Sequence, residues 1–422
     1  MGITLKKMLR ALKIRLYPNK KQTEEFNKLL GCYRFVFNYM LDLKMNTYKE
    51  TKENLSMCDL SKHFHGVLLK NEDFSWLKEQ NTKIMKQSMR QVFSAFDNFF
   101  NKHKGYPKFK SKKDVQTALF PLEAISSKNS FETRHITLTK TFKNIPFRCS
   151  KLYWNRLKAY KNNIRSATLT KTKSGKYELS ILIEFPNNEF VKFNQTGQSV
   201  GVDLGIKDFA ITSDGEVFEN LHFFKNMEKR IVKQQRKISK KQKGSHNREK
   251  ERLKLAKMFE HLTNQKNNYI HSVVNTLLSN YDTVCIENLN VNGMLKNHNL
   301  AKAVHEVGFY KFKEILQYKA FSNGKTVVLV DQWFPSSKLC HTCGYKYKGL
   351  KLNERQWVCP VCGTHHNRDN NAAINIMNEG LRIIGSRTPE FKPVENPTVD
   401  DRLNDLRSGG SVRQEIETYR FS

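Results

Sequence analysis

Alternating and helical patterns of apolar residues define the first half of the chain. Apolar and basic residues alternate from Met8 to Leu16 and stop at Pro18, which predicts a half-buried strand. A helix is predicted from about Gln22, because apolar residues then recur every three or four positions as far as Leu41. A second amphipathic helix is predicted over Thr82–Asn101. A helical unit therefore follows the first strand.

The texture changes to strands between Thr117 and Phe185. The run Tyr177–Phe185 alternates strictly, and Lys173–Lys176 has the composition of a hairpin turn. We expect the first strand of the chain to join this sheet, which makes the helical unit an insertion into a β-barrel.

A different order of elements is predicted after the polar stretch Pro186–Gln198. A strand hairpin comes first, and helices then alternate with two buried strands before a last helix. This is the order of an RNase H-like α/β domain. The predicted segments are the hairpin Ser199–Gly215, the helices Asn267–Leu278 and Phe309–Phe321, the strands Thr283–Glu287 and Lys325–Asp331, and a helix from about Asp369.

Three acids occupy significant places in that order. Asp203 lies near the end of the first strand of the hairpin, Glu287 ends the first of the two buried strands, and Asp369 lies at a helix N-terminus. Asp203 alone fits a satisfied structural acid as well as a metal ligand, since a buried carboxylate needs a partner or a metal. Taken together, two strand-borne acids and one helix-borne acid are what a two-metal phosphodiester hydrolase needs, with two Mg²⁺ ions about 4 Å apart.

Four cysteines form two C-x2-C pairs separated by fifteen residues: Cys340, Cys343, Cys359 and Cys362. Gly344 and Gly363 follow the pairs and allow tight turns, so that backbone amides can face the thiolates. The spacing predicts one structural Zn²⁺ held by four thiolates. Two disulfides are the alternative, which a reducing cytoplasm disfavours.

Charge adds a class of partner. The chain has 73 Lys and Arg against 40 Asp and Glu, a formal charge of +33. Such an excess favours a polyanion, and nucleic acid ranks above a membrane because no apolar span of about 18 residues occurs. The first residues lack the apolar core of a signal peptide, so we expect a cytoplasmic protein.

Two segments concentrate the basic residues. Residues 225–258 carry 14 Lys and Arg against three Glu and predict a basic helical hairpin interrupted at Lys243–Ser245. Residues 104–113 interleave lysines with aromatic rings. Both predict contacts to phosphates, and the loop also predicts ring stacking. A solvated charged face or loop remains the alternative for each.

Several stretches resemble the TnpB family, the RNA-guided DNA nucleases encoded by insertion sequences and related to type V CRISPR effectors. They follow the family's order over residues 10–380: RLYPNKKQTEEFNKLLGCYRFVFNYML, GYPKFKSKK, VGVDLGIKDFAITSDG, IENL, WFPSSKLCHTCG, WVCPVCG and NRDNNAAINI. By this resemblance Asp203, Glu287 and Asp369 match the RuvC catalytic acids that hold Mg²⁺. The four clustered cysteines match the zinc site beside them.

The resemblance also implies a domain plan for a multidomain α+β protein. A wedge-type β-barrel receives an inserted helical recognition domain, and an RNase H-like (RuvC) nuclease domain receives an inserted zinc ribbon. The expected bounds are 1–20 and 115–195 for the wedge, 21–114 for the recognition domain, 196–336 and 366–385 for the nuclease domain, 337–365 for the ribbon, and 386–422 for a flexible tail.

The implied activity is Mg²⁺-dependent cleavage of double-stranded target DNA beside a short adjacent motif, supporting retention of the transposon. A guide RNA from the transposon end would choose the target by base pairing. The protein would act as a monomer with its RNA, in the cytoplasm and on the nucleoid. The alternatives are an RNA-guided repressor that does not cleave, which the presence of all three acids argues against, and an accessory transposase. A DDE-type transposase also uses RNase H-like acids, and only the wider motif match separates it.

Overall fold

In a computed structural model, described for residues 7–102, 104–351 and 354–386, the chain builds two β-sheets with separate apolar cores. The tail predicted to be flexible, residues 386–422, lies outside the described residues except for Ser386, which ends the last helix. None of the helices in these ranges is long and apolar enough to cross a bilayer.

The first sheet is antiparallel and confirms that the N-terminal strand joins the later ones. Its strands are β1 (Lys7–Leu16), β2 (Gln116–Pro121), β3 (His135–Ile136), β4 (Ile145–Arg148), β5 (Ile164–Lys171) and β6 (Tyr177–Pro186). β1 pairs with β6 along its whole length, and alternate residues of β6 are buried, as a period of two requires. The spatial order is β2-β5-β6-β1-β4-β3, and no pairing between β2 and β3 closes a barrel within the described ranges.

A helical insertion separates β1 from β2. It contains α1 (Lys20–Thr51), α2 (Met57–His63) and α3 (Thr82–Lys102). The side chain of Asn19 caps α1 by accepting a hydrogen bond from the Gln22 backbone N–H at 2.8 Å. The two predicted helices are confirmed, and their apolar faces share one core with the sheet.

Helix α4 (Lys151–Ala159) links β4 to β5, and the second sheet follows. Its strands are β7 (Ser199–Leu204), β8 (Asp208–Thr212), β9 (Val217–Glu219), β10 (Thr283–Glu287) and β11 (Thr326–Val330). The spatial order is β11-β10-β7-β8-β9. β7, β8 and β9 form an antiparallel meander, β10 pairs in parallel with β7, and β11 pairs in parallel with β10. The predicted succession of hairpin, helix, strand, helix, strand and helix is confirmed.

The basic segment is a helical hairpin, as predicted, but its second arm is longer. α5 (Phe223–Ser239) turns at Gly244, whose φ is +86°, into α6 (His246–Asn280). The separate helix predicted over Asn267–Leu278 is the C-terminal part of α6. That part buries an apolar face on the second sheet, while the basic N-terminal part extends beyond the sheet and packs on α5.

Two short helices that the sequence analysis did not predict, α7 (Val291–Lys296) and α8 (His298–Val307), precede α9 (Phe309–Ser322). α6 and α9 cover one face of the second sheet. α10 (Arg368–Ser386) covers the other face and crosses β7 closely at Gly201. A Cβ atom at Gly201 would overlap the carbonyl oxygen of Ala373 and lie 2.6 Å from the backbone nitrogen of Met377. Glycine is therefore required where this helix meets the strand.

The cysteine-containing segment lies between β11 and α10. It ends in a two-stranded hairpin, β12 (Gln356–Val358) and β13 (His365–Asn367), which leads directly into α10. The strand β13 crosses the boundary predicted at residue 365.

Candidate functional site

Two of the three acids lie at the ends of adjacent parallel strands. Val202 of β7 is in register with Ile286 of β10, so Asp203 and Glu287 are the next residues on each strand. Successive side chains of a strand point to opposite faces, and paired residues share a face. Asp203 and Glu287 therefore present their carboxyl groups side by side at the carboxyl edge of the sheet.

The third acid, Asp369, is brought to the same edge by α10. The side chain of Asn367 accepts hydrogen bonds from the backbone N–H groups of Asp369 and Asn370 at 3.1 and 3.2 Å, which fixes the first turn. The Asn370 side chain then donates to the carbonyl oxygens of Thr212 and Ser213 at the end of β8, at 3.3 and 3.4 Å. These bonds tie the start of α10 to the hairpin that carries Asp203.

Burial and neighbouring charges disfavour the ionised form of Asp203. Burial, with smaller contributions from the neighbouring Glu287 and Asp369, raises the pKa of Asp203 from 3.8 to about 7. Burial also raises the pKa of Glu287. A cation bound here would offset the cost of ionising Asp203 and Glu287. The structure thus brings together the three acids that the sequence analysis selected.

The acids also have partners that sequence reasoning missed. The hydroxyl of Ser336, which follows β11, donates a hydrogen bond to Glu287. Arg355, from the segment between the cysteine pairs, donates from Nη1 to both carboxylate oxygens of Asp369, at 2.8 and 2.9 Å. Neither pairing follows from spacing along the chain, although Ser336 lies in WFPSSKLCHTCG, one of the stretches that resemble the TnpB family.

Two buried asparagines on α10 hold the segment that carries Ser336. The side chain of Asn375 donates to the carbonyl oxygens of Ser336 and Leu339, at 2.8 and 2.6 Å. The side chain of Asn371 donates to the carbonyl oxygen of Leu339 at 2.8 Å and accepts from the backbone N–H of His341 at 3.1 Å. Amides four residues apart on an otherwise apolar helix face were the sequence signal for this role.

The four clustered cysteines converge as predicted. Their sulfur atoms all lie within 4.8 Å of one another, and two of the pairs are 3.6 Å apart. Zinc–sulfur bonds of about 2.3 Å in a tetrahedron require sulfur atoms about 3.8 Å apart, so the set fits one Zn²⁺ ion. Within the described ranges, no other group of three or more potential ligands gathers this closely. The ligand atoms of the three acids therefore lie farther apart than the four sulfur atoms do.

Tight turns, a hydrogen-bonding threonine and a buried histidine surround the cysteines. Gly344 and Gly363 have φ of +76° and +69° and close the two turns. The hydroxyl and backbone N–H of Thr364 lower the pKa of the Cys362 thiol to about 6. Nε2 of the buried His366 lies 3.1 Å from the Cys340 sulfur, and its ring packs 4.4 Å from that of Trp357. His366 therefore supports the cluster from beside it.

The basic segments differ in how much of their charge is available. On α5 and its turn, four lysines are exposed with no ion pair among the described residues: Lys229, Lys233, Lys240 and Lys241. In the 104–113 loop, Lys110 instead points inward, with Nζ 3.8 Å from the Phe37 ring centroid and bonded to Gln91. Burial lowers its pKa to about 8. Lys110 therefore anchors the loop, and the predicted phosphate contacts would come from the exposed lysines beside it.

Three family models match the chain in succession. A helix-turn-helix domain model (OrfB_IS605 type) matches residues 8–53, a probable transposase model (OrfB_IS605) matches 180–298, and a Cas12f1-like TNB domain model matches 309–376. The first of these ranges folds as β1 and the single helix α1. The last contains α9, β11, the cysteine cluster and the start of α10.

Curated relatives match almost end to end. A protein of Streptomyces pristinaespiralis, named as a candidate RNA-guided DNA endonuclease, is 32% identical over 89% of this chain and 90% of its own length. The candidate RNA-guided DNA endonuclease InsQ of Escherichia coli K12 is 27% identical over 93% of this chain and 98% of its own.

A solved structure shares the fold. It is the cryo-electron microscopy structure of a Cas12f1–sgRNA–target DNA complex, which matches 85% of this chain and 83% of its own with a TM-score of 0.55. Sequence identity is 15%, so this likeness concerns the fold alone. The mixed α/β multidomain architecture is thereby shared with the Cas12f1 chain of that complex.

Proposed function

Because this chain belongs to the TnpB family of RNA-guided DNA endonucleases, we propose that it cuts target DNA with the site formed by Asp203, Glu287 and Asp369. It is an RNA-guided DNA endonuclease of an IS605-type element. The observation that carries the assignment of the site is the convergence of three acids, from two strand ends and one helix start, on one edge of the second sheet.

The three carboxyl groups fit a site for divalent cations, because burial and mutual repulsion raise the pKa of Asp203 and a cation would relieve both. We assign them two Mg²⁺ ions. When bound, Mg²⁺ activates a water for attack on the phosphodiester and stabilises the leaving oxygen.

The chain's own residues prepare this site. Ser336 donates to Glu287 and restricts the orientation of its carboxyl group. Arg355 neutralises Asp369. The guanidinium of Arg355 orients the carboxyl group of Asp369 and adds a positive charge beside the acids, where a phosphate of the DNA would be favoured.

The cysteine cluster is proposed to hold one structural Zn²⁺. Its free energy of binding would stabilise the segment that carries Arg355, since such a small element has little apolar core of its own. The cluster would thereby fix one partner of the nuclease site.

The remaining assignments follow the family. We propose that the first sheet is the wedge, that the helical insertion contributes to recognition of the target, and that the basic hairpin of α5 and α6 contacts phosphates. The partners would be a guide RNA from the transposon end and double-stranded DNA, bound by a monomer in the cytoplasm. A repressor that does not cleave is the second candidate, and the three intact acids argue against it.

The test is cleavage by single variants. Asp203→Ala, Glu287→Ala and Asp369→Ala should each abolish Mg²⁺-dependent cleavage of a guide-matched target, because each removes an oxygen ligand. Guide-dependent binding of the target should stay close to wild type, since the exposed lysines are untouched. Asp208→Asn, on the neighbouring strand β8, is the control and should cleave normally. A near wild-type rate in any of the three variants would remove that residue from the site.

A further inference from the structure

Two exposed aromatic rings belong to segments that adjoin the strand end carrying Glu287. Trp333 is 83% exposed and Tyr310 is 68% exposed, the two highest values among the large apolar and aromatic side chains of the described residues. A single exposed ring needs no explanation, but two that adjoin the same proposed site suggest a contact surface.

Tyr310 and Glu287 line the same cleft of about 160 Å³. Leu289, Phe309 and Lys313 also line it, so apolar walls meet a cation. The ammonium group of Lys313 is held by the side chain of Asn288 at 2.6 Å. Ligand sites for drug-sized molecules usually measure about 300–1,000 Å³, so this cleft suits a single ring or phosphate.

Trp333 is placed by bonds at both ends of its loop. Val330, three residues before it, is in register with Glu287, and Ser336, three residues after it, donates to Glu287. Three residues span at most about 10 Å, so the Cα atom of Trp333 lies within about that distance of both residues that pair with Glu287. Its neighbour Phe334 packs into the apolar cluster beneath α10, which leaves Trp333 directed to solvent.

We propose that Tyr310 and Trp333 stack on unpaired bases of the DNA strand, on either side of the phosphate presented to the three acids. This inference rests on the proposed nuclease function and adds two residues that would position the DNA strand at its site. Stacked bases of a duplex do not offer their faces, whereas an unpaired strand does, and ring stacking tolerates any base sequence. Lys313 supplies a cation for the adjoining phosphate.

An apolar protein partner fits these surfaces less well. Glu287 and the cation of Lys313 both line the cleft, and the chain as a whole carries a charge of +33. Neither ring is needed by the fold, because Phe309 and Phe312 fill the core on either side of Tyr310 and are almost fully buried. Alanine variants should therefore fold.

The first measurement is single-turnover cleavage by the RNA-bound protein. Tyr310→Ala and Trp333→Ala should each lower the rate roughly 5- to 150-fold, the loss that corresponds to one base–ring stack. Tyr310→Phe and Trp333→Phe should retain most of it. Phe321→Ala is the matched control, since Phe321 is 61% exposed at the opposite end of the same helix, and its variant should cleave like wild type.

Abasic substitutions in the target locate the contact. Removing the stacked base should slow the wild-type protein by a similar factor but should not slow the corresponding alanine variant any further. Wild-type cleavage rates in both alanine variants would overturn the inference. It would also be overturned if every abasic substitution slowed the alanine variants by the same factor as the wild type.

The second measurement does not depend on cleavage. In EDTA, a short single-stranded oligothymidylate should quench tryptophan fluorescence of the wild type in a saturable manner, and this change should be lost in Trp333→Phe. Quenching by a wild type that fails to cut a guide-matched target would preserve the stacking and overturn the nuclease proposal. Cleavage without quenching, and with normal rates in the variants, would overturn the stacking alone.

Discussion

Replacing Asp203 by asparagine should stabilise the folded protein above neutral pH when divalent cations are absent. The substitution keeps the shape of the side chain and removes the charge that burial and the two neighbouring acids disfavour. The residue proposed to be essential for cleavage would then be a liability for folding, as is common where chemistry requires a strained electrostatic arrangement.

The magnitude follows from the pKa of Asp203. A rise from 3.8 to about 7 corresponds to an upper bound of about 4 kcal/mol at ~1.36 kcal/mol per pKa unit. Because the side chain is only half-buried, water screens part of the repulsion, and we expect about 1–3 kcal/mol. For a domain of ordinary size this raises Tm by roughly 2–10 °C.

The sign determines the pH window. The pKa of Asp203 is higher in the folded state, so the folded protein retains this proton at pH values where the unfolded chain has lost it. The destabilisation by ionised Asp203 is therefore absent near pH 4, grows as the pH rises, and is complete above about pH 7. The difference in Tm between variant and wild type should follow the same course.

Thermal unfolding in EDTA at several pH values tests this reasoning. Asp208→Asn is the matched control: Asp208 is a half-buried acid on β8 that faces Lys207 at 4.0 Å, so its replacement should bring no gain. Excess Mg²⁺ should raise the Tm of the wild type more than that of Asp203→Asn. Equal Tm values at pH 8, or a gain of the same size at pH 5 and pH 8, would refute the electrostatic account.

Three further predictions concern the rest of the molecule. Cys340→Ser should lower both Tm and the zinc content, which metal analysis should place at about one ion per wild-type chain; a metal-free protein that is folded and active would contradict the zinc site. Neutralising four exposed lysines together should weaken nucleic-acid binding equally for all sequences. These are Lys229, Lys233, Lys240 and Lys241. The log–log slope of affinity against salt concentration should become shallower by about 0.7–0.9 per lost phosphate contact. An unchanged slope would mean that the basic helical hairpin is only a solvated charged face. Gly201→Ala should destabilise the second sheet by about 1–3 kcal/mol in denaturant titrations, because the added methyl group meets α10, whereas Gly31→Ala, with open space around it, should be neutral or mildly stabilising.

Elements with a clear period could be predicted from the sequence. The alternation in β1 and β6 and the helical register of α1 and α3 each place one apolar face on a core, and the structure uses those faces. The acids of the second sheet could also be selected, because a carboxylate at the end of a short apolar run is conspicuous.

Elements whose residues are polar were harder to predict. α7 and α8 carry few buried side chains, and the charged first half of α6 conceals a helix that is continuous with its buried half. The inward turn of Lys110 depends on the ring of Phe37, which is distant in sequence. Tertiary contacts decide such features, and a single sequence does not contain them.

The placement of the cysteine cluster links these observations. The segment inserted between β11 and α10 begins just after Ser336, the partner of Glu287, and ends just before Asp369. Within it Arg355 both pairs with Asp369 and accepts, through its backbone carbonyl, a 2.8 Å hydrogen bond from the N–H of Arg368. A metal that orders the cluster would therefore order the partner of Asp369, one of the three proposed catalytic acids, and the start of the helix that carries it. The cysteines themselves do not contact the acids, but the segment that carries them holds Asp369 and the first residue of α10 in place.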